Sequence, residues 1–312
     1  MNAVLTRRAV LVTGKGGVGK TTVAAALARI AARSGRRILV AEVAADASSP
    51  SSMAAAFGVS RGTEEPQKLA PGIRGVLLTP GAGHRRFLQD TMPMRLLADA
   101  AMRSGAIRRF LGAAPAFSEM GVLYRILDLL RQRRPDGSFE HETCVIDLPA
   151  TGHALALTQL PEVLLKVIPG GPIATAVREG ISLFHDPLRA AAIVVTLPET
   201  LPVSEALALS SGLTRGKVHV AGIIANLVPH DPFTLEERAE LTRLEASAGP
   251  LLGGRAVRRM DRARHAVARL KESVALQVLT LPEQDVRGPA LVLAMSELLY
   301  EALRRSALEG TR

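Results

Sequence analysis

The chain has 312 residues, a formal net charge of +10, 3% aromatic residues and one cysteine, Cys144. That length suits one large α/β domain or two small ones. So few aromatics leave no stacking platform for single-stranded nucleic acid, and a lone thiol makes neither an internal disulfide nor a zinc site.

Residues 9–12 are the first apolar run and read as a strand, with only a short polar stretch before them and no signal-peptide core. Residues 13–22 then read Thr-Gly-Lys-Gly-Gly-Val-Gly-Lys-Thr-Thr. Gly14, Gly19, Lys20 and Thr21 satisfy G-x-x-x-x-G-K-[ST], with Gly16, Gly17 and Val18 inside the loop and Thr22 after it. Residues 22–32 read as a helix, so strand, loop and helix follow in the order a phosphate-binding loop needs. Glycines let successive backbone N–H groups turn inward around a phosphate, and the helix N-terminus adds partial positive charge. Lys20 is expected on the β- and γ-phosphates of a nucleotide, and the Thr21 hydroxyl on Mg²⁺. A second lysine, Lys15, directly follows the first glycine.

Further strand-like runs cover residues 38–43, 73–78, 144–148, 192–196, 218–225 and 275–279, with helical patterns between most of them. Near-continuous apolar strands alternating with helices predict an α/β fold with a mostly parallel twisted sheet covered on both faces. Residues 84–134, with Met92, Met94, Met102 and Met120, and residues 154–185, with Leu155, Leu157, Leu160, Leu164 and Leu165, fall outside that rhythm. They predict a helical subdomain inserted into a single domain spanning 1–312. Met adapts to varied partners, so a groove for hydrophobic protein cargo is one reading of this region; ordinary core is the favoured one. No run reaches the ~18–20 apolar residues of a membrane span, so no integral membrane segment is expected and a cytoplasmic protein is. The positive charge is nearly all arginine spread along the chain. Its local clusters, Arg36–Arg37, 131–134 and 255–269, read as composition bias more than as a nucleic-acid or lipid patch.

The second chemical element is the run 144–147, an apolar strand that ends in Asp147. A carboxylate there suits a second Mg²⁺-coordinating group. The following Leu148-Pro149-Ala150-Thr151-Gly152-His153 suits a loop that senses the γ-phosphate, with the Gly152 N–H close to it. Cys144 reads as a small buried hydrophobe.

With these motifs the chain resembles the arsenite-pump and guided-entry ATPases, a branch of the deviant phosphate-loop class that also holds septum-positioning and chromosome-partition ATPases. The resemblance rests on 14–22, on 147–153 as the second switch (with Pro149 and Ala150 transposed), and on 197–206 after the next strand. It extends to Ile224-Ala225-Asn226 and to 281–288. It implies that Asn226 recognises adenine, that the loop containing Pro282 closes on the base, and that Lys15 reaches across a dimer interface to the partner's nucleotide. Such a lysine acts as an arginine finger does, as a cation set in trans against developing phosphoryl charge. A chain with one phosphate loop should therefore pair with itself or with a related subunit.

Three departures accompany the resemblance. The first-switch Asp that orients the attacking water falls on Ala44, with Asp46 and Glu42 two residues to either side as substitutes; Asp46 joins Lys15, Lys20 and Asp147 as a catalytic candidate. The paired cysteines of the zinc-clasped dimer are missing, and so are those that bind arsenite. Glu42-Val43 and Gly170-Gly171-Pro172 fit a bacterial side branch with members that work as unlike pairs. The expected protein is a Mg²⁺-dependent, ATP-hydrolysing dimeric switch. A hydrolysis-poor regulatory subunit and an ATP-driven chaperone for hydrophobic helices are its alternatives.

Overall fold

A computed structural model describes residues 2–91, 115–149, 165, 170–249 and 252–309. The elements in chain order are β1 (Ala9–Gly14), α1 (Lys20–Ala32), β2 (Ile38–Val43), α2 (Ser52–Ala56), β3 (Gln67–Ala70), β4 (Ile73–Leu78), α3 (Pro80–Thr91) and α4 (Pro115–Arg131). There follow β5 (Thr143–Asp147), α5 (Gly171–His185), β6 (Ala190–Thr196), α6 (Thr200–Arg215), β7 (Val220–Val228), α7 (Leu235–Ala248), α8 (Gly254–Ser273), β8 (Val278–Pro282) and α9 (Gly288–Glu309).

The strands form one sheet in the order β3-β4-β2-β5-β1-β6-β7-β8. Every pairing is parallel except β3 with β4. The central strands β1, β5 and β6 are buried along their whole length. That explains their unbroken apolar runs: in a parallel sheet with helices on both faces, neither side of the strand meets water.

Two apolar layers cover the sheet. On one face, the Ala-rich α1 buries Val23, Leu27 and Ile30 beside Val10, Val12 and Ile38, with Met53 of α2 and Val292, Met295 and Leu299 of α9. On the other face, Val122, Ile126 and Leu129 of α4, Leu183 of α5, Val203 and Leu209 of α6 and Leu270 of α8 pack on Leu11, Leu39, Leu78 and Ile146. Each such side chain removed from water contributes about 1.5–3 kcal/mol.

The described part of the predicted helical subdomain is α3, α4 and α5; α4 and α5 place side chains in the layer that covers the sheet, and α3 packs on α4. Residues 92–114, 154–164 and 166–169 of that prediction lie outside the described residues. No helix among the described residues is long and apolar enough to cross a membrane.

One strand escaped the sequence reading, and β7 and β8 are each displaced from it by two to three residues. The short edge strand β3 carries no apolar run and is at most half-buried, so period and hydrophobicity gave no signal for it. Strand β8 starts at Val278 rather than at 275, because Val274 and Leu276 pack against the core from the preceding turn.

Parallel strands place all their carboxyl ends along one edge. The loop after β1, Asp147 at the end of β5 and the stretch after β6 therefore converge there, as ligand sites do in such sheets.

Candidate functional site

β1 delivers the chain to that edge in a conformation that excludes side chains. Gly14 has φ 152°, and a Cβ on it would lie 2.1 Å from the Val195 carbonyl oxygen of β6. Gly16 and Gly17 are exposed, and a Cβ on either would meet nothing within 4 Å, so the mouth of the loop is open. Gly19 has φ 88°, and a Cβ there would fall 2.3 Å from Asn226 Nδ2. α1 starts at once: Gly19 O accepts from Val23 N, and no side chain caps the helix. The uncapped amides of its first turn, with the helix dipole behind them, point at this mouth.

The two loop lysines are held in different ways. Lys20 folds back so that its Nζ donates to Lys15 O at 2.9 Å. Burial lowers the pKa of Lys20, and the Asp147 carboxylate works against that shift. Lys15 Nζ instead pairs with Glu205 Oε1 of α6 at 2.9 Å.

Thr21 and Asp147 meet directly, Thr21 Oγ1 donating to Asp147 Oδ2 at 2.5 Å. Asp147 is buried, and its burial pushes the carboxyl up to about 6; the Thr21 hydrogen bond opposes this, Glu42 adds to it, and Lys20 opposes it. Asp147 Oδ1 is buried with no hydrogen-bond partner among the described residues. A hydroxyl and an orphaned carboxylate oxygen, side by side beside an open glycine loop, fit Mg²⁺. This ion takes one or two protein oxygens and fills its sphere with substrate and water. The described residues hold no group of three or more His, Cys, Asp or Glu able to bind a metal by themselves.

Asn226 sits beneath the loop. It is buried, and its Nδ2 donates to Val18 O at 2.9 Å, while its Oδ1 is buried without a partner among the described residues. A register shift in β7 between Ala225 and Val228, with Leu227 at φ 56°, follows it immediately. Bulges of this kind re-aim side chains beside functional sites. Pro282 ends β8 opposite Val228.

The first-switch candidates are occupied locally. Glu42 accepts from Ser51 Oγ at 2.5 Å, Ser52 N at 2.9 Å and Met53 N at 3.2 Å, and so caps α2. Asp46 is exposed, and its Oδ1 accepts from Ser48 N at 2.8 Å, Ser48 Oγ at 2.6 Å and Ser49 Oγ at 3.3 Å. The Ser48 bonds hold its carboxyl below the usual range. Ala44 lines a cleft with Val43, Ala45, Pro80 and Pro149.

Lys15, Lys20, Thr21, Asp147 and Asn226 thus gather around a single loop: Lys20 bonds to the Lys15 carbonyl, Thr21 to Asp147, and Asn226 to the Val18 carbonyl. Thr22 is half-buried on the first turn of α1, and Gly152 and His153 lie outside the described residues. Sequence reasoning missed two roles: Glu42 as a helix cap, and Glu205 as the partner of Lys15. The Ser51-Ser52 pair was an available capping signal; nothing local distinguishes Glu205 from any other helical glutamate.

The family model described as anion-transporting ATPase matches residues 7–169. The ATPase BagA of Mycobacterium tuberculosis is 27% identical over 221 residues, covering 69% of this chain and 64% of that protein. An uncharacterized protein of Streptomyces coelicolor is 35% identical over 167 residues, 52% of this chain and 39% of its own. An arsenical pump-driving ATPase of Escherichia coli is 29% identical over 253 residues, 76% of this chain and 37% of its own. The matched segments span under two thirds of the length of each of these relatives.

Proposed function

The chain belongs to the anion-transporting ATPase family, and we propose that it is itself a Mg²⁺-dependent ATPase whose nucleotide bridges two subunits. The observation that carries this reading is the contact of Thr21 with buried Asp147 at the mouth of an open glycine loop, beside Lys20.

The loop amides and the α1 N-terminus would receive the triphosphate. Lys20 would exchange the Lys15 carbonyl for β- and γ-phosphate oxygens. Thr21 and Asp147 would hold Mg²⁺, which supplies neutralisation of phosphate charge. Asp147 must be ionised for this, and with its carboxyl titrating at about 6 it is charged at neutral pH. Asn226 Oδ1, an acceptor without a partner among the described residues, would suit the adenine amino group, Pro282 would lie against the base, and the Gly152 N–H would serve the γ-phosphate. Lys15 would act in trans on the nucleotide of a second subunit, identical or related. Hydrolysis breaks the bond between the β–γ bridging oxygen and the γ-phosphorus, with water attacking in line. Asp46 would orient that water only after leaving Ser48 and Ser49.

This last condition favours a second reading, a subunit that binds ATP tightly and turns it over slowly. Steady-state hydrolysis with Mg²⁺ on wild type, Lys20→Ala and Lys15→Ala separates the two. Turnover lost in both variants supports the dimeric ATPase. Tight ATP binding without wild-type turnover supports the slow subunit, and full turnover in Lys20→Ala removes both.

A further inference from the structure

The side chain and the carbonyl of Lys15 are both engaged inside its own subunit: Nζ is on Glu205 Oε1 at 2.9 Å, and O accepts from Lys20 Nζ at 2.9 Å. Both ends of this arrangement are carried by packed elements. Gly14 is wedged against Val195 O of β6, and α6, which carries Glu205, is anchored by buried Val203, Ala206 and Leu209. Glu205 spends one oxygen on Lys15, while its Oε2 is buried with no hydrogen-bond partner among the described residues.

We propose that Glu205 is a positioning residue, which holds Lys15 in its own subunit and sets how readily that lysine transfers to a second one. The inference rests on the two-subunit reading above. When Lys20 turns to a phosphate it releases the Lys15 carbonyl, and the Lys15 peptide becomes free to swing; only the Glu205 contact then retains the side chain. Once Lys15 leaves, Glu205 is a half-exposed carboxylate with its other oxygen buried and unpaired. That favours return of the lysine when the two subunits part. Nucleotide binding would thereby unlock the lysine, and the carboxylate would reset it. The pair is half-exposed, with side chains 43% and 35% accessible, so the lock is weak enough to open in each cycle. An exposed pair changes an equilibrium about twofold to fivefold. Two pairs open per dimer, giving about 4- to 25-fold in all.

The test is sedimentation equilibrium with Mg²⁺ and a non-hydrolysable ATP analogue, on wild type, Glu205→Gln, Lys15→Ala and the double variant. Glu205→Gln is expected to tighten the nucleotide-dependent dimer about 4- to 25-fold, and the double variant to match Lys15→Ala. Equal dimer constants for wild type and Glu205→Gln overturn the role of Glu205 alone. So does a tightening that persists in the Lys15→Ala background, because Glu205 would then act without Lys15. If neither wild type nor Glu205→Gln forms a nucleotide-dependent dimer, the two-subunit reading falls, and this inference with it. If Glu205→Gln does not fold, Glu205→Asp keeps the charge but falls short of Lys15 and is read by the same outcomes.

Discussion

Thr21 and Asp147 lie 126 positions apart in the chain, yet the Thr21 hydroxyl donates to Asp147 Oδ2 across 2.5 Å. The contact exists because α1 starts directly after β1, and β1 pairs in register with β5, setting Val12 beside Asp147. Two distant segments thereby bring a hydroxyl and a carboxylate to the same point on the sheet edge.

The same burial that creates this site destabilises the protein without ligand. The Asp147 carboxyl titrates at about 6 in the fold against 3.8 when unperturbed. Between those values the folded state binds more protons than the unfolded one. The group's contribution to stability is therefore fully present below the lower value and is lost as pH rises through about 6. Asp147→Asn should make the nucleotide-free protein about 1–3 kcal/mol more stable at pH 8, and the gain should shrink as pH falls towards 4. The same variant should lose Mg²⁺-dependent ATP binding. Urea unfolding at the two pH values checks the first part; a less stable variant at pH 8 would contradict it.

Asn226 is the strut of the loop. Asn226→Ala leaves Val18 O buried without its donor, which costs about 1–3 kcal/mol. Thermal unfolding should show that loss without nucleotide, and a larger one with Mg²⁺ and ATP, because the loop that binds them has also loosened. Equal losses in both conditions would mean that Asn226 supports the fold and does not pre-shape the site.

Much of this site was legible in the sequence because its motif is local. Gly14, Gly19, Lys20 and Thr21 announce themselves by spacing, and each glycine proves to face a specific obstacle, Val195 O or Asn226 Nδ2. Asp147 was legible as the polar end of an apolar strand. Tertiary partnerships were not legible. Nothing in the neighbourhood of Glu205 shows that it faces Lys15, 190 residues earlier, and for Glu42 only the Ser51-Ser52 pair, nine residues on, hinted at a helix cap over a water-orienting carboxylate. Edge strand β3 escaped for a related reason: it is held by pairing with β4, and its own residues carry little hydrophobic pattern.

An ionic network with a buried central pair ties α3 and α4 to the segment before β3. Arg125 and Asp128 are paired at 2.6 Å with side chains 5% and 8% exposed. Arg86 reaches Asp128 at 2.9 Å, and Arg125 reaches Glu65 at 3.0 Å. Asp128→Ala leaves the Arg125 charge buried and under-compensated, and should cost about 3–5 kcal/mol. The paired replacement Arg125→Met with Asp128→Leu should cost far less, because both charges leave together. Chemical denaturation of the two variants checks the contrast. Similar losses in both would show that packing, and not the uncompensated charge, sets the cost.

Cys144 can report on the whole assembly. It sits in the centre of the sheet, paired with Ala9 of β1 and Leu39 of β2, and burial pushes its thiol up to about 12. The thiolate is the reactive form, so the folded protein should resist an aromatic disulfide reagent at pH 8 and react only when the central strands part. Where closing outpaces labelling, the rate follows the population of that opened state. Mg²⁺ and ATP at about 100 times their dissociation constant should then slow labelling by about 100-fold, since the ligand binds only the closed form. Lys20→Ala should erase most of that protection while leaving the ligand-free rate nearly unchanged. Fast labelling of the native protein, or protection retained in Lys20→Ala, would place the nucleotide somewhere other than this loop.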